Sequence, residues 1–239
     1  MIGDVVMSIE NVRKIIEEMK RKKLDVEECL VETSTPNPCA TEEMILSAEK
    51  NCGIIFPESY KTFLKEYGNG DFYLFGAEPL MGVGDKLVDS LTTTKNSLSV
   101  LMQKEHGKDC YLFPENRMIS LCQLVPFTYG DSLEISNDHW AFLCDKEYPN
   151  HDYPVVYVSQ HSEDVICKLD NFEKWLEIFW IGNKDRKAED LYLPTFYFLY
   201  TDWQGRMDLI DADRSELMEI YDRIRMENDA NFKKYGVNG

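Results

Sequence analysis

The sequence predicts an α+β fold, with a mainly antiparallel sheet of four to six strands flanked by helices and an added C-terminal hairpin and helix. Three observations lead there. Helix-period apolar stripes with capping residues occupy the first part of the chain. Short β-branched and aromatic runs follow, separated by Gly, Asn, Asp and Pro. An amphipathic helix with a capping residue then closes the pattern near residue 180.

The first helix is read from Ser8 to Lys23. Ser8 is placed to cap it, and Ile9, Val12, Ile16 and Met19 form one stripe. Lys20 to Lys23 set cations at its C-terminal end, where they favour the helix dipole. A nucleic-acid or targeting patch is the competing reading of that run, and it sits poorly in an acidic chain. Pro36 and Pro38 mark a linker in ETSTPNPCA. Thr41 caps a short helix through Glu42, Ile45 and Ala48, with Gly53 as its stop. Pro57 suits the first position of the next helix, and Gly68 its left-handed close. Between them Tyr60, Phe63, Leu64 and Tyr67 repeat at i, i+3, i+4 and i+7, which is a single buried face.

The turn GNGD leads into strand-like runs at Phe72–Phe75 and Glu78–Val83, then a helix at Lys95–Glu105. Strands are expected at Ile119–Phe127, His139–Cys144, Pro154–Ser159 and Asp164–Leu169. Asp170 caps the closing helix, with Glu173 in the reciprocal position and Phe172, Trp175, Leu176 and Phe179 facing inward. Beyond it, PTFYFLY and RMDLI flank the turn-prone DWQG as a hairpin, and Asp213 and Glu216 open a last helix. The chain therefore divides into an N-terminal helix and linker (1–40), a central α+β domain (41–180) and a C-terminal extension packed on that domain (181–239).

Composition narrows the function classes. The net charge is −17, from 43 acidic against 26 basic residues, which disfavours nucleic acid and anionic membrane as direct partners. Seven cysteines with no CxxC spacing suit reduced thiols in the cytoplasm better than a disulfide framework. No apolar run approaches the ~20 residues a membrane span needs, and the N-terminus lacks a secretory pattern. A soluble cytoplasmic protein is the expectation. The four histidines include no helical metal-ligand pair, so no metal or cofactor is expected. GxSxG, GxxxxGK[ST] and HxE…PCxxC patterns are absent, and GVG at Gly82–Gly84 reads as a turn. His151 beside Asp152 is the nearest thing to a catalytic dyad, but adjacent residues on extended chain face opposite ways. No catalytic residue is assigned.

The stretch FPESYKTFLKEYGNG, Phe56 to Gly70, resembles the signature of the SUKH superfamily, which includes a fungal cell-wall-synthesis regulator and bacterial toxin-immunity proteins. A helix stopping at Gly53 leads to an apolar-Pro step at Ile54, Ile55, Phe56 and Pro57. An aromatic helix face at Tyr60, Phe63 and Leu64 follows, then Gly68 and the Asn69–Gly70 turn. LVPFTYGDS, WAFLCD, PVVYVSQ and DNFEKWLEIF are similar to later blocks of the family, and the likeness runs over about residues 41–180. One departure is the turn GDSLEISND, which has a single glycine where the family often has a Gly-rich turn.

The resemblance implies a protein-binding role. As an immunity protein the chain would neutralise the effector domain of a polymorphic or contact-dependent toxin, a basic nuclease fitting its charge, without catalysis. The alternative is a regulatory or scaffold module with no toxin partner. Asp131, Glu134, Asp138, Asp145, Glu147 and Asp152 cluster between Phe127 and Pro154, against the one base Lys146. Such a cluster is either a solvated face or a docking surface that speeds association with a cationic partner. Tyr129 and Trp140, with Phe127, Tyr148 and Tyr153, are interleaved with those acids and are either core or binding hot spots.

Overall fold

A computed structural model describes residues 2–22, 38–70, 80–84, 109–112, 117–120, 123–128, 139–145, 148–158 and 165–183, with Ser215, Glu219 and Met226 as single helical positions. The first helix, α1 (Ile2–Lys22), begins before Ser8, which lies inside it instead of capping it. A serine in a helix interior costs only about half a kcal/mol relative to alanine, too little to stop propagation. Val12, Ile15, Ile16 and Met19 are buried. The Arg13 guanidinium donates to Glu66 at 2.8 Å and the Asn11 side chain donates to Glu173 at 2.6 Å, so α1 is fastened to two later helices.

Helix α2 (Glu42–Cys52) has the ends the sequence predicts. Thr41 Oγ1 accepts the Met44 N–H at 3.2 Å, and Gly53, at φ 68°, ends it in the left-handed region. Helix α3 (Glu58–Glu66) differs at both ends. Pro57 is its N-cap and not its first helical residue. Its C-cap Tyr67 stays right-handed, and the left-handed glycine is Gly70 and not Gly68. The reason is long-range: Gly70 must turn so that the chain can lie against Gly82, where an added Cβ would come within 2.0 Å of the Gly82 nitrogen. Tyr60, Phe63 and Leu64 are buried as one stripe.

The strands are β1 (Asp109–Leu112), β2 (Arg117–Ser120), β3 (Leu124–Pro126), β4 (His139–Leu143), β5 (Val155–Val158) and β6 (Val165–Leu169). They form one sheet in the order β2-β1-β6-β5-β4-β3, antiparallel throughout except for β1 beside β6. The expected single strand Ile119–Phe127 is two strands. Gln123 interrupts it, its side-chain oxygen accepting the Ser120 N–H at 3.1 Å and its carbonyl the Cys144 N–H at 2.8 Å. Strand β1 has no expected counterpart, being four residues without alternation. Among the described residues of the strand expected at Glu78–Val83, Leu80 and Gly82 are isolated bridge positions, Leu80 being paired with Thr128. The expected elements Phe72–Phe75, Lys95–Glu105 and the C-terminal hairpin fall outside the described residues.

Helix α4 (Phe172–Asn183) closes the domain, and Asn171 caps it in place of Asp170. The Asn171 Oδ1 accepts the Lys174 N–H at 2.9 Å, the usual cap geometry shifted by one residue. Successive strand residues alternate between two buried faces. Phe127, Trp140, Phe142, Val155, Tyr157 and Leu169 join α1–α4 in the larger core, while Ala141, Leu143, Val156 and Val158 point the other way.

Tyr60 lies at the centre of the larger core, its ring 5.1 Å from Phe172, 5.2 Å from Phe142 and 5.6 Å from Phe56 between centroids. Its hydroxyl donates to the Met81 carbonyl at 3.0 Å, and burial pushes its pKa far above the ordinary phenol value. Segment 80–84 is held from three sides. The Met81 N–H reaches the Phe127 carbonyl at 2.9 Å, Tyr60 holds the Met81 carbonyl, and the Asn69 amide holds Val83. Asn69 Nδ2 donates to the Val83 carbonyl and Asn69 Oδ1 accepts the Val83 N–H, each at 2.7 Å. A buried side chain thus pairs with backbone as a neighbouring strand would.

Candidate binding surface

Two structural ends meet at the side of the domain. One is the α2 stop. Gly53 turns the chain, the Ile54 N–H bonds the Glu49 carbonyl at 3.2 Å, and Ile55 emerges 45% exposed beside Leu46 at 56%. Behind them the Glu49 carboxylate, almost buried, accepts the Phe56 N–H at 2.8 Å and lies 3.5 Å from Lys61. Burial works against the Lys61 charge, but Glu58 and Glu49 together hold its pKa above the ordinary lysine value.

The other end is the β4–β5 connection. Asp145 leaves the strand with its carboxylate 3.9 Å from Arg117, and the Tyr148 N–H returns to the Asp145 carbonyl at 3.3 Å. A 3-10 turn, Pro149–His151, follows with Asn150 at φ 66° and His151 at φ 58°. Consecutive left-handed residues other than glycine cost about 1 kcal/mol or more each, although Asn and His bear it better than most. The turn is pinned on its far side. His151 Nδ1 lies 3.0 Å from the Tyr153 hydroxyl, and Asp152 accepts from Asn171 Nδ2 at 3.3 Å. Burial raises the Asp152 pKa, opposed by that hydrogen bond and reinforced by Asp170. Burial likewise raises the Tyr153 pKa, with Cys144 and Glu49 adding to it. Lys168 sits over the Tyr148 ring at 5.8 Å and donates to its hydroxyl at 3.4 Å, and burial lowers the Lys168 pKa against the pull of Asp170.

Between these ends runs an open groove of about 780 Å³. Leu46, Glu49, Lys50 and Gly53–Ile55 line one wall; Cys144, Asp145, Tyr148, His151 and Tyr153 line the other. Among the described residues no group of His, Cys, Asp and Glu could hold a metal ion. His151 and Asp152 do not pair with each other; each has the separate partner named above.

Of the residues expected to bind a partner, Asp145, Asp152 and Trp140 are among those described. Asp145 lines the groove, and Asp152 is half-buried behind its wall. Trp140 is a correction: it is 1% exposed, its ring 5.0 Å from Tyr157 and 6.4 Å from Trp175 between centroids, so it belongs to the core and not to the surface. Alternation on β4 dictates this, since Trp140 shares a face with Phe142. Phe127 is core as well, and Tyr153 is buried, whereas Tyr148 is only partly buried and lines the groove. Tyr129, Asp131, Glu134, Asp138 and Glu147 lie outside the described residues. Sequence reasoning missed Leu46 and Ile55. The available signal was that Leu46 stands off the α2 stripe of Ile45, Ala48 and Cys52, and that Ile55 adds an apolar residue after the helix stop.

The architecture defines the class: an α+β domain in which, among the described residues, four helices pack on one face of a mainly antiparallel sheet. A SUKH family model described as SMI1-KNR4 cell-wall matches residues 42–176, more than half of the chain, and the chain belongs to that family. No curated protein matches the sequence. Among the described residues no helix is long and apolar enough to cross a membrane.

Proposed function

We propose that the chain is an immunity protein that binds and neutralises the effector domain of a polymorphic or contact-dependent toxin, a basic nuclease. Membership of the SUKH family carries the reading, because toxin-immunity proteins belong to that family. The net charge of −17 supports a cationic protein partner over nucleic acid or membrane. Neutralisation is steric and electrostatic, and this chain makes or breaks no bond.

Co-expression with the toxin domain encoded beside the chain's own gene tests the proposal. The expected result is survival of the host and a stoichiometric, salt-sensitive complex. Association with several cellular proteins and no protection would favour a regulatory module instead. Reversing the charge of Asp131, Glu134 and Asp138 together is expected to slow association and flatten its salt dependence. An unchanged on-rate and salt slope would place the docking surface elsewhere.

A further inference from the structure

We infer that the groove between the α2 stop and the β4–β5 turn is the anchor pocket for a partner, and that it takes one apolar side chain projecting from a basic surface. This deepens the immunity reading and rests on it for the partner's identity. Leu46 and Ile55 are two of the four large hydrophobics exposed among the described residues, and both line this one groove. Tyr148, partly buried against the core, lines the wall facing them. Concave sites with an exposed aliphatic wall and an amphipathic tyrosine are where interfaces concentrate their energy.

The wall opposite the aliphatics is preformed. Asn150 and His151 keep unfavourable backbone angles because Tyr153 and Asn171 hold the turn in place. A pocket already in its bound shape spends less ordering entropy when filled. The basic surround follows from charge. Glu49 and Lys50 stand on one wall and Asp145 on the other, so the groove lining itself has two acids against one base, while the whole chain carries 43 acids against 26 bases. Attraction therefore comes from the whole protein, and selection from the apolar seat.

The probes are two acetylated, amidated peptides, Lys-Arg-Leu-Arg-Lys and Lys-Arg-Gly-Arg-Lys, titrated into the full chain labelled at Ile and Leu methyls. The leucine peptide is expected to bind about fivefold tighter, the return on burying roughly half of a leucine side chain. Its shifts should saturate at Leu46, Ile54 and Ile55, and Leu46→Asp should erase the difference between the peptides without lowering Tm. Equal binding of both, shifts confined to other methyls, or none up to about 5 mM would each overturn the inference. The toxin arm separates the two readings. If Leu46→Asp and Ile55→Asp neutralise the toxin with unchanged affinity, the pocket fails and immunity stands. If the peptides seat in the groove and the chain gives no protection, immunity fails and the pocket stands.

Discussion

Asn69 offers the sharpest test of how this fold is held. Its side chain is 2% exposed and makes two 2.7 Å hydrogen bonds to the N–H and carbonyl of Val83, itself fully buried. Asn69→Ala leaves both backbone groups without these partners, at about 1–3 kcal/mol for each unsatisfied buried group. The total expected loss is about 2–6 kcal/mol, a large share of the ~5–15 kcal/mol typical of a domain. At about 2–4 °C per kcal/mol for a chain of this length, that corresponds to a Tm drop of roughly 4–24 °C. Asn69→Asp makes the chemistry explicit. The carboxylate still accepts the Val83 N–H, but sets a second negative oxygen against the Val83 carbonyl, where Nδ2 donates now. Burial and that repulsion raise the folded pKa of the new acid above its unfolded value. Stability relative to wild type is therefore retained below the unfolded pKa, where the acid donates a proton to the carbonyl, and lost as pH rises through the folded pKa. Urea unfolding between about pH 4 and pH 7 reads both effects as midpoints. A loss below about 0.5 kcal/mol for alanine, or a pH-independent gap for aspartate, would refute the account.

Two further predictions use the same assay. Gly53 and Gly70 have nearly the same backbone, φ 68° and φ 71°, but an added Cβ meets open space at Gly53 and the Gly82 backbone at Gly70. Gly53→Ala is thus expected to cost about 1–2 kcal/mol and Gly70→Ala at least ~3 kcal/mol; equal costs would mean that backbone angle alone decides. The half-buried Asp152 has a raised pKa, so its contribution is greatest below its ordinary value of 3.8 and falls as pH rises through the folded pKa. Asp152→Asn, which cannot ionise, should gain on wild type in urea midpoint as pH rises over that window, and a flat or opposite trend would contradict the burial argument.

Much of the helical layer was legible because its signals are local. Thr41 and Gly53 mark α2 by hydrogen bonds that span three or four residues, and the Tyr60, Phe63, Leu64 stripe is a matter of period. The errors lie where a distant partner decides. Gly70, and not Gly68, is left-handed because of Gly82; β2 and β3 separate because Gln123 bonds Cys144 as well as Ser120; and Asn171, which also donates to the distant Asp152, displaces Asp170 as the cap. The binding surface was harder still. Charge is visible in a sequence, and the acids near residue 145 stand beside Trp140 along the chain, although β-alternation sends that residue into the core. The groove needs Leu46 and Tyr148 on one surface, and nothing in either local pattern encodes their meeting.

The signature stretch gains a physical meaning from these long-range partners. Phe56 to Gly70 reads as an aromatic stripe ended by a turn, yet its polar atoms do as much as its rings. Tyr60 and Asn69 reach residues 81 and 83, and Phe56 gives its N–H to Glu49. The stretch thereby joins α2 behind it to segment 80–84 and, through Met81, to the backbone of Phe127 just past β3. It also fixes one wall of the groove, because Glu49 holds Phe56 directly after Ile54 and Ile55. A substitution that frees Glu49, such as Glu49→Ala, would unfasten Phe56 and let that wall move before the core gives way. The motif is buried and presents little to a partner, and it determines the shape of the surface that does.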